Sequence, residues 1–338
     1  MQQKWLSIAA YLPKLESETS HNDVRAQFAE PPEIYNPLVS EITVRPIGGL
    51  GNQLFIYATG FALSRKLGCD LQIDSSWFKN QSKRQYELDT FASECLSLSS
   101  RLKLNSRLAA TFRSRININA MNQIARIIAP AERVERFFAY DVDIATSPVG
   151  SKLLGYFQSW KYFEFERINL IHQIKTPIDT TLWFETEFER LTDIGPFTSI
   201  HLRRTDYLES KNLEFHGALG REYYVRAFEK LGPEAKDDPV VIFTDDIRFA
   251  RKFSKDLKID SVILDPPLES RPIESLNLMG LARNSVIANS SFSWWGAFIK
   301  QSTGGKTIAP SPWFTGEEIT ESDLIPPNWD LVPRGLVG

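Results

Sequence analysis

Four short segments of the sequence combine residue types that can bind a phosphate or a nucleotide. The first, His201-Leu202-Arg203-Arg204, lies at the end of the apolar run Thr198–Leu202. Side chains alternate along a strand, so His201 and Arg203 are expected on one side and can converge on one ligand. The planar fork of arginine matches phosphate oxygens, although ordinary salt bridging is the alternative. We predict a phosphate contact here and include Arg204 among the ligand-binding residues.

The second segment, Asn289-Ser290-Ser291-Phe292-Ser293, directly follows the apolar run Val286-Ile287-Ala288. Small hydroxyl residues between a strand and a helix either cap the helix or present hydroxyl and N–H groups to a phosphate. Capping accounts for one serine, so the whole segment is predicted to bind the ligand. The following Trp294 and Trp295 are predicted to pack in the core.

The third segment is the glycine-rich turn Gly48-Gly49-Leu50-Gly51-Asn52-Gln53. Glycines let backbone N–H groups approach an anion closely, and a helix N-terminus adds partial positive charge. A dinucleotide fingerprint starting at Gly49 and Gly51 would need glycine or alanine where Leu54 stands. A structural turn and a ligand loop both remain open.

The fourth segment, Phe243-Thr244-Asp245-Asp246, ends another apolar run. Adjacent aspartates in a strand point to opposite faces, and no partner set of oxygen ligands accompanies them, so no metal site is predicted. A carboxylate here could accept from the N–H groups of guanine, with Thr244 and Asp245 as ligand contacts. A helix N-cap at Asp245 or Asp246 explains the same residues.

Regular alternation of strands and helices is expected to position these segments. After Pro196, strand-like runs occur at Thr198–Leu202, 240–243, 262–264, 286–288 and 307–309, with helical segments between them. That order predicts a parallel, doubly wound sheet, which binds ligands beyond the carboxyl ends of its strands. The first half repeats the pattern more faintly, with a strand at 42–47, a helix at about 53–67 ended by Gly68, and a strand at 71–74.

We therefore predict two facing α/β domains with a cleft between them. Residues 1–40 are an extension, 41–195 the first domain, 196–330 the second and 331–338 a tail. Within the tail, Leu331-Val332-Pro333-Arg334-Gly335 matches a common thrombin cleavage sequence, and we assign it no function. The arginine-rich stretch 101–136 is predicted to be a solvated helical face.

Composition excludes several classes of protein. The chain has 338 residues, with 39 basic and 42 acidic side chains, so nucleic acid is not expected as a partner. Cys69 and Cys95 form neither a metal-ligand pattern nor a disulfide framework, which favours a reducing, cytoplasmic location. No apolar stretch is long enough to span a bilayer, so contact with a membrane would be peripheral.

Taken together, these segments resemble the α-1,2-fucosyltransferases of glycosyltransferase family 11. The matching segments, in family order, are residues 48–55, 155–159, 201–207, 243–246, 288–297, 308–310 and 313–314. The form Arg203-Arg204-Thr205-Asp206 also looks like the α-1,6-fucosyltransferases, but Asn289-Ser290-Ser291-Phe292-Ser293-Trp294-Trp295 favours the α-1,2 group.

The resemblance implies a GT-B fold whose first domain (41–195) is on the acceptor side and whose second domain (196–330) binds the donor, GDP-β-L-fucose. The acceptor is expected to be a glycan ending in a galactose-type residue, and the transfer to proceed with inversion and without a metal or other cofactor. It also implies roles for matching positions. Arg203 would contact the β-phosphate with His201 nearby, Asn52 would face the reacting centre, and Ser291-Phe292-Ser293 would hold the diphosphate. The turn residues Gly49, Gly51 and Gln53 would belong to the same donor site.

An inverting transfer needs a general base for the acceptor proton. The residues that follow the arginine segment offer four candidates: Asp206, Glu209, Glu214 and His216. We place Asp206 first, with pairing to an arginine as its structural alternative.

Overall fold

A computed structural model describes residues 41–91, 96–97, 131–136, 138–204, 219–235, 237–300, 305–315 and 323–335. Within these residues, five parallel strands form the first of two sheets. The strands are β1 (Glu41–Val44), β2 (Asp70–Ile73), β3 (Leu96–Ser97), β4 (Ala131–Val134) and β5 (Ser151–Leu154). Their spatial order is β3-β2-β1-β5-β4. The central strand β1 pairs in parallel with both β2 and β5.

Six parallel strands form the second sheet. They are β6 (Thr198–Leu202), β7 (Val240–Thr244), β8 (Ser261–Ile263), β9 (Asn284–Val286), β10 (Thr307–Ser311) and β11 (Asp330–Pro333), in the order β11-β10-β9-β6-β7-β8. The prediction of a parallel, doubly wound sheet is confirmed. Strand β9 begins two residues before its apolar run because the polar Asn284 and Ser285 pair with Thr198 and Ser199 of β6.

Eight helices connect the described strands: α1 (Leu50–Leu67), α2 (Val142–Ala145), α3 (Arg167–Ile174), α4 (Leu182–Ile194), α5 (Arg221–Leu231), α6 (Ile247–Leu257), α7 (Pro272–Met279) and α8 (Ser291–Phe298). Helix α1 begins at Leu50, earlier than the predicted Gln53, and ends at Gly68 in the left-handed conformation, as expected. It is buried on almost every side, which places it in the interior rather than on a surface.

A shared aromatic core joins the two sheets. Phe55 of α1 packs against Trp294 of α8 with ring centroids 4.5 Å apart, and Phe163 stacks on Trp295 at 5.3 Å. Both tryptophans are fully buried, so their predicted role in core packing is confirmed. Since α1 connects β1 to β2 of the first sheet and α8 lies between β9 and β10 of the second, this core fixes the two sheets relative to each other.

Two segments differ from what their composition suggests. Residues 131–134 of the arginine-rich stretch form β4 and not a helix, although their side chains are exposed as expected of a solvated face. The segment that matches a thrombin sequence contributes Leu331 to Pro333 to β11, which pairs with β10. Residues 1–40 and 101–130 lie outside the described residues. No helix in the described part of the chain combines the length and apolar character needed to cross a membrane.

Candidate functional site

The carboxyl ends of strands from both sheets face one cleft with a volume of about 830 Å³. The loops after β1, β2, β4 and β5 line one wall, and the loops after β6 to β10 line the other. This is the GT-B arrangement, so the predicted fold class is confirmed. Among the predicted site residues, the cleft brings together Gly49, Gly51, Asn52, His201, Arg203, Thr244, Asp245, Asn289, Ser290, Ser291 and Phe292.

Gln53, a predicted ligand residue, does not line the cleft. Its side chain is fully buried and donates from Nε2 to the carbonyl oxygens of Gly48 (3.0 Å) and Gln85 (2.8 Å). Its Oε1 accepts from the amide of Glu87 at 2.9 Å. The side chain therefore holds the glycine turn against the neighbouring loop.

Arg204 and Ser293 also lie outside the cleft wall. The Arg204 guanidinium sits 4.1 Å above the centre of the Phe249 ring, because consecutive residues at a strand end point to opposite sides. The Ser293 hydroxyl donates within its own helix start, to the carbonyl oxygens of Ala288 and Ser290 at 3.2 Å each. These contacts support the neighbouring cleft residues.

The two adjacent aspartates have different roles. Asp245 lines the cleft and accepts from the Arg203 guanidinium (Nη1 to Oδ2, 3.1 Å) and from the Arg204 amide (2.9 Å). Asp246 caps α6 by accepting from the amide of Phe249 at 2.9 Å. The interpretation as a helix cap is therefore correct for Asp246. Asp245 instead orients the guanidinium of Arg203, whose other two nitrogens are also hydrogen-bond donors.

Two helices begin at the cleft. Helix α1 starts after Gly49 and α8 after Ser290, and in the described residues neither start has a side-chain cap or an acidic residue in its first turn. A methyl group on Gly51 would lie 2.5 Å from the amide nitrogen of Phe292, so the two starts meet backbone to backbone. Paired helix N-termini favour an anionic ligand.

Asn52 is held in a fixed orientation by the wall that the loops of the first sheet form. Gln158 donates from Nε2 to Oδ1 of Asn52 at 2.9 Å. Gln158 follows Phe157, a left-handed residue with φ of 51°, and the Glu135 carboxylate accepts from the amides of Tyr156 (2.7 Å) and Phe157 (2.9 Å). Burial raises the pKa of Glu135 to about 7.

Two arginines of the cleft were not found by sequence reasoning. Arg84 lies beside the glycine turn, 3.4 Å from the position of a methyl group on Gly49. Arg271 precedes α7 and pairs with Asp89 at 3.0 Å. Both occupy loops without a strand-end pattern, so neither composition nor spacing distinguishes them from surface arginines.

The four candidate bases, Asp206, Glu209, Glu214 and His216, lie outside the described residues. Of the described carboxylates, Asp245 alone lines the cleft, and it is paired with Arg203. The described ranges also contain no cluster of three or more His, Cys, Asp or Glu side chains arranged to hold a metal ion.

Comparison with known proteins gives a consistent set of relatives. The model of glycosyl transferase family 11 matches residues 16–332. An α-1,2-colitosyltransferase of Escherichia coli is 31% identical and covers 88% of this chain and 100% of its own length. The O-antigen biosynthesis glycosyltransferase WbnK of Escherichia coli is 27% identical over 83% of this chain and 97% of its own. Galactoside 2-α-L-fucosyltransferase Sec1 of Mus musculus is 23% identical over 82% of this chain and 68% of its own.

Proposed function

The chain belongs to glycosyl transferase family 11, and we propose that it transfers L-fucose from GDP-β-L-fucose to the 2-hydroxyl of a galactose-type residue on a glycan. The named activities of two relatives, an α-1,2-colitosyltransferase and a galactoside 2-α-L-fucosyltransferase, support both the sugar class and the linkage. The acceptor proposed is the end of a bacterial surface polysaccharide unit, a class that fits the relative named for O-antigen biosynthesis.

One observation carries the proposal: Arg203, oriented by Asp245, lies in the same cleft as the uncapped starts of α1 and α8. A guanidinium and two helix N-termini form a site for a diphosphate. The donor nucleotide is therefore proposed to lie along the wall formed by the loops of the second sheet. Its diphosphate would contact Arg203 and Ser290 to Phe292, and its guanine would lie towards Thr244 and Asp245.

The proposed reaction is a displacement with inversion. The acceptor oxygen attacks the anomeric carbon, a new C–O bond forms, and the bond from that carbon to the β-phosphate oxygen breaks. GDP leaves with the bonding electron pair, and its negative charge develops beside Arg203 and the helix starts. Preorganised donors aimed at developing charge are the largest single source of rate enhancement in many enzymes, and the proposal needs no metal ion.

The acceptor hydroxyl loses its proton to a base as the new bond forms. We assign this role to Asp206, which follows the arginine segment along the chain. Asn52 has a different role: its Oδ1 accepts from Gln158, which leaves its Nδ2 to donate towards a sugar oxygen.

The test is direct. The full chain is incubated with GDP-fucose and a panel of galactose-terminated acceptors, with and without EDTA, and the linkage of any product is determined. We expect GDP release, an α-1,2-linked fucoside, and the same rate in EDTA. A protein that binds GDP tightly but releases none with any acceptor would instead be a GDP-sugar-binding protein, and a different linkage would reject the α-1,2 assignment.

A second donor has a specific observation in its favour, because the relative at 31% identity is named for colitose transfer. Colitose is L-fucose without its 3-hydroxyl group. A site that hydrogen-bonds this hydroxyl would reject the deoxy sugar by several orders of magnitude, whereas a site that ignores it would accept both. The ratio of kcat/KM for GDP-fucose and GDP-colitose therefore decides between the two donors.

A further inference from the structure

The wall formed by the first sheet presents three partly exposed aromatic side chains to the cleft. Trp77 follows β2, Phe138 follows β4 and Tyr156 follows β5, and all three line the cavity. We call these three residues the aromatic wall. They lie across the cleft from Arg203, which directly follows β6 of the other sheet.

Packing holds Phe138 and Tyr156 of the aromatic wall in place. Phe138 and Tyr156 have nearly parallel rings, with an angle of 15° between their planes and 6.4 Å between centroids. Phe138 also packs on the buried Phe314, with centroids 5.6 Å apart. A ring that is already held loses little conformational entropy when a ligand binds.

The backbone beneath Tyr156 is equally constrained. Glu135 accepts from its amide, and a methyl group on Gly155 would lie 2.4 Å from Cβ of Glu135. The same turn continues to Gln158, which holds Asn52. Phe138, Tyr156 and the amide of Asn52 are thus parts of one connected structure.

We infer that the aromatic wall is a subsite for a neutral hexopyranose, the acceptor sugar, whose C–H face packs on the rings of Phe138 and Tyr156. Aromatic rings offer large apolar area with little entropy to lose, and the tyrosine hydroxyl adds a polar contact. In the described residues this wall contributes no carboxylate to the cleft. Its groups that favour an anion, Arg84 and the start of α1, lie at the glycine turn, and Arg203 and α8 lie on the opposite wall. A sugar seated here has its hydroxyls beside Asn52.

This inference rests on the proposed function, since it assigns the acceptor side of that cleft. The alternative occupant of an aromatic surface is the guanine ring of the donor. The two are separable because an acceptor subsite affects acceptor binding alone, whereas a guanine platform affects GDP binding.

The experiment compares Phe138→Leu and Tyr156→Leu with Phe165→Leu, which alters an aromatic residue that is 61% exposed and outside the cleft. Binding of GDP is measured by calorimetry, and contact of lactose and methyl β-D-galactopyranoside is measured by saturation-transfer NMR on the GDP-bound protein. Acceptor KM and kcat are measured in the transfer assay.

We expect each wall variant to raise acceptor KM by roughly 3- to 10-fold and weaken the NMR signal, the range that one aromatic contact supplies. The affinity of each wall variant for GDP should stay within about twofold of the wild type. Phe165→Leu should change neither the acceptor KM nor the affinity for GDP. Unchanged acceptor KM with normal transfer, no galactoside contact in the wild type, or a parallel loss of GDP affinity would each overturn the subsite. Galactoside contact that depends on the wall in a protein that transfers no sugar would reject the proposed function and retain the subsite.

Discussion

The backbone of Gly51 lies directly against the amide of Phe292, and an added methyl group would come within 2.5 Å of that nitrogen. One residue belongs to the glycine turn of the first sheet and the other to the first turn of α8 in the second. The place where a diphosphate is proposed to bind is therefore assembled by both halves of the chain, at a contact that tolerates no side chain.

Gly51→Ala should weaken GDP binding and abolish most transfer. The overlap is with backbone atoms of Ser291 and Phe292, which cannot move without shifting α8. Gly49→Ala changes the same turn without this overlap, because its new methyl group would meet only the flexible end of Arg84 at 3.4 Å, and it should weaken GDP binding less than Gly51→Ala. Calorimetry with GDP and the transfer rate measure both effects. Equal GDP affinities of Gly51→Ala and the wild type would show that the contact is not needed.

Arg203→Ala should leave the fold intact and reduce kcat by at least roughly 10²- to 10³-fold, the usual loss when one preorganised donor is removed. Arg203→Lys should restore only part of the rate, since an ammonium group cannot contact Asp245 and a phosphate through a planar fork. Arg190→Ala, at an exposed pair with Glu187, controls for the loss of a charge. Near-normal turnover of Arg203→Ala would reject the assignment of the diphosphate site.

Asp206→Asn should lower kcat at every pH in the measured range. A carboxylate can accept the acceptor proton and a neutral amide cannot, so the variant loses the base and keeps the other groups of the cleft. Rate measurements from pH 5 to 9 test this. Wild-type turnover of Asp206→Asn across that range would move the role to Glu209, Glu214 or His216, each tested by the same substitution.

The strand-end segments could be located from the sequence because apolar runs mark the strands, and alternation then separates Arg203 from its neighbours. The same rule explains why Arg204 turns away from the cleft and rests on Phe249. Polar type suggested a ligand contact for Gln53, and in the structure its side-chain amide hydrogen-bonds to three backbone groups within the protein. The amino-acid sequence alone does not distinguish a side-chain amide that binds a ligand from one that hydrogen-bonds to buried backbone groups.

Arg84 and Arg271 could not be predicted for a different reason. Their place in the cleft depends on the path of two loops and on partners far away in sequence, such as Asp89 for Arg271. The aromatic wall has the same origin, since three loops after three strands bring Trp77, Phe138 and Tyr156 together. Local sequence patterns predict helices and strands. Contacts between loops depend on how the finished sheets pack, which local patterns do not contain.

Glu135→Gln should change how stability depends on pH. Burial raises the pKa of Glu135 from 4.5 to about 7 in the folded protein, even though the amides of Tyr156 and Phe157 donate to the carboxylate and lower the pKa. Between these values the unfolded chain has released a proton that the folded protein still holds. The free energy of unfolding should therefore fall as pH rises from about 4.5 to 7, by at most about 3 kcal/mol from this group, and level off above pH 7.

Urea unfolding at half-unit steps from pH 5 to 8 measures this slope. The Gln variant lacks the titrating group, so the difference in free energy between wild type and variant should change across the window and stay constant above it. Glu132→Gln, at an exposed neighbour on β4, is the control for loss of a carboxyl group from this strand. If the curve of Glu135→Gln runs parallel to the wild type, the carboxyl group titrates alike in both states. The two amide contacts would then offset the effect of burial on the pKa, and Glu135 would hold the turn of Tyr156 and Phe157 mainly as a carboxylate across this range.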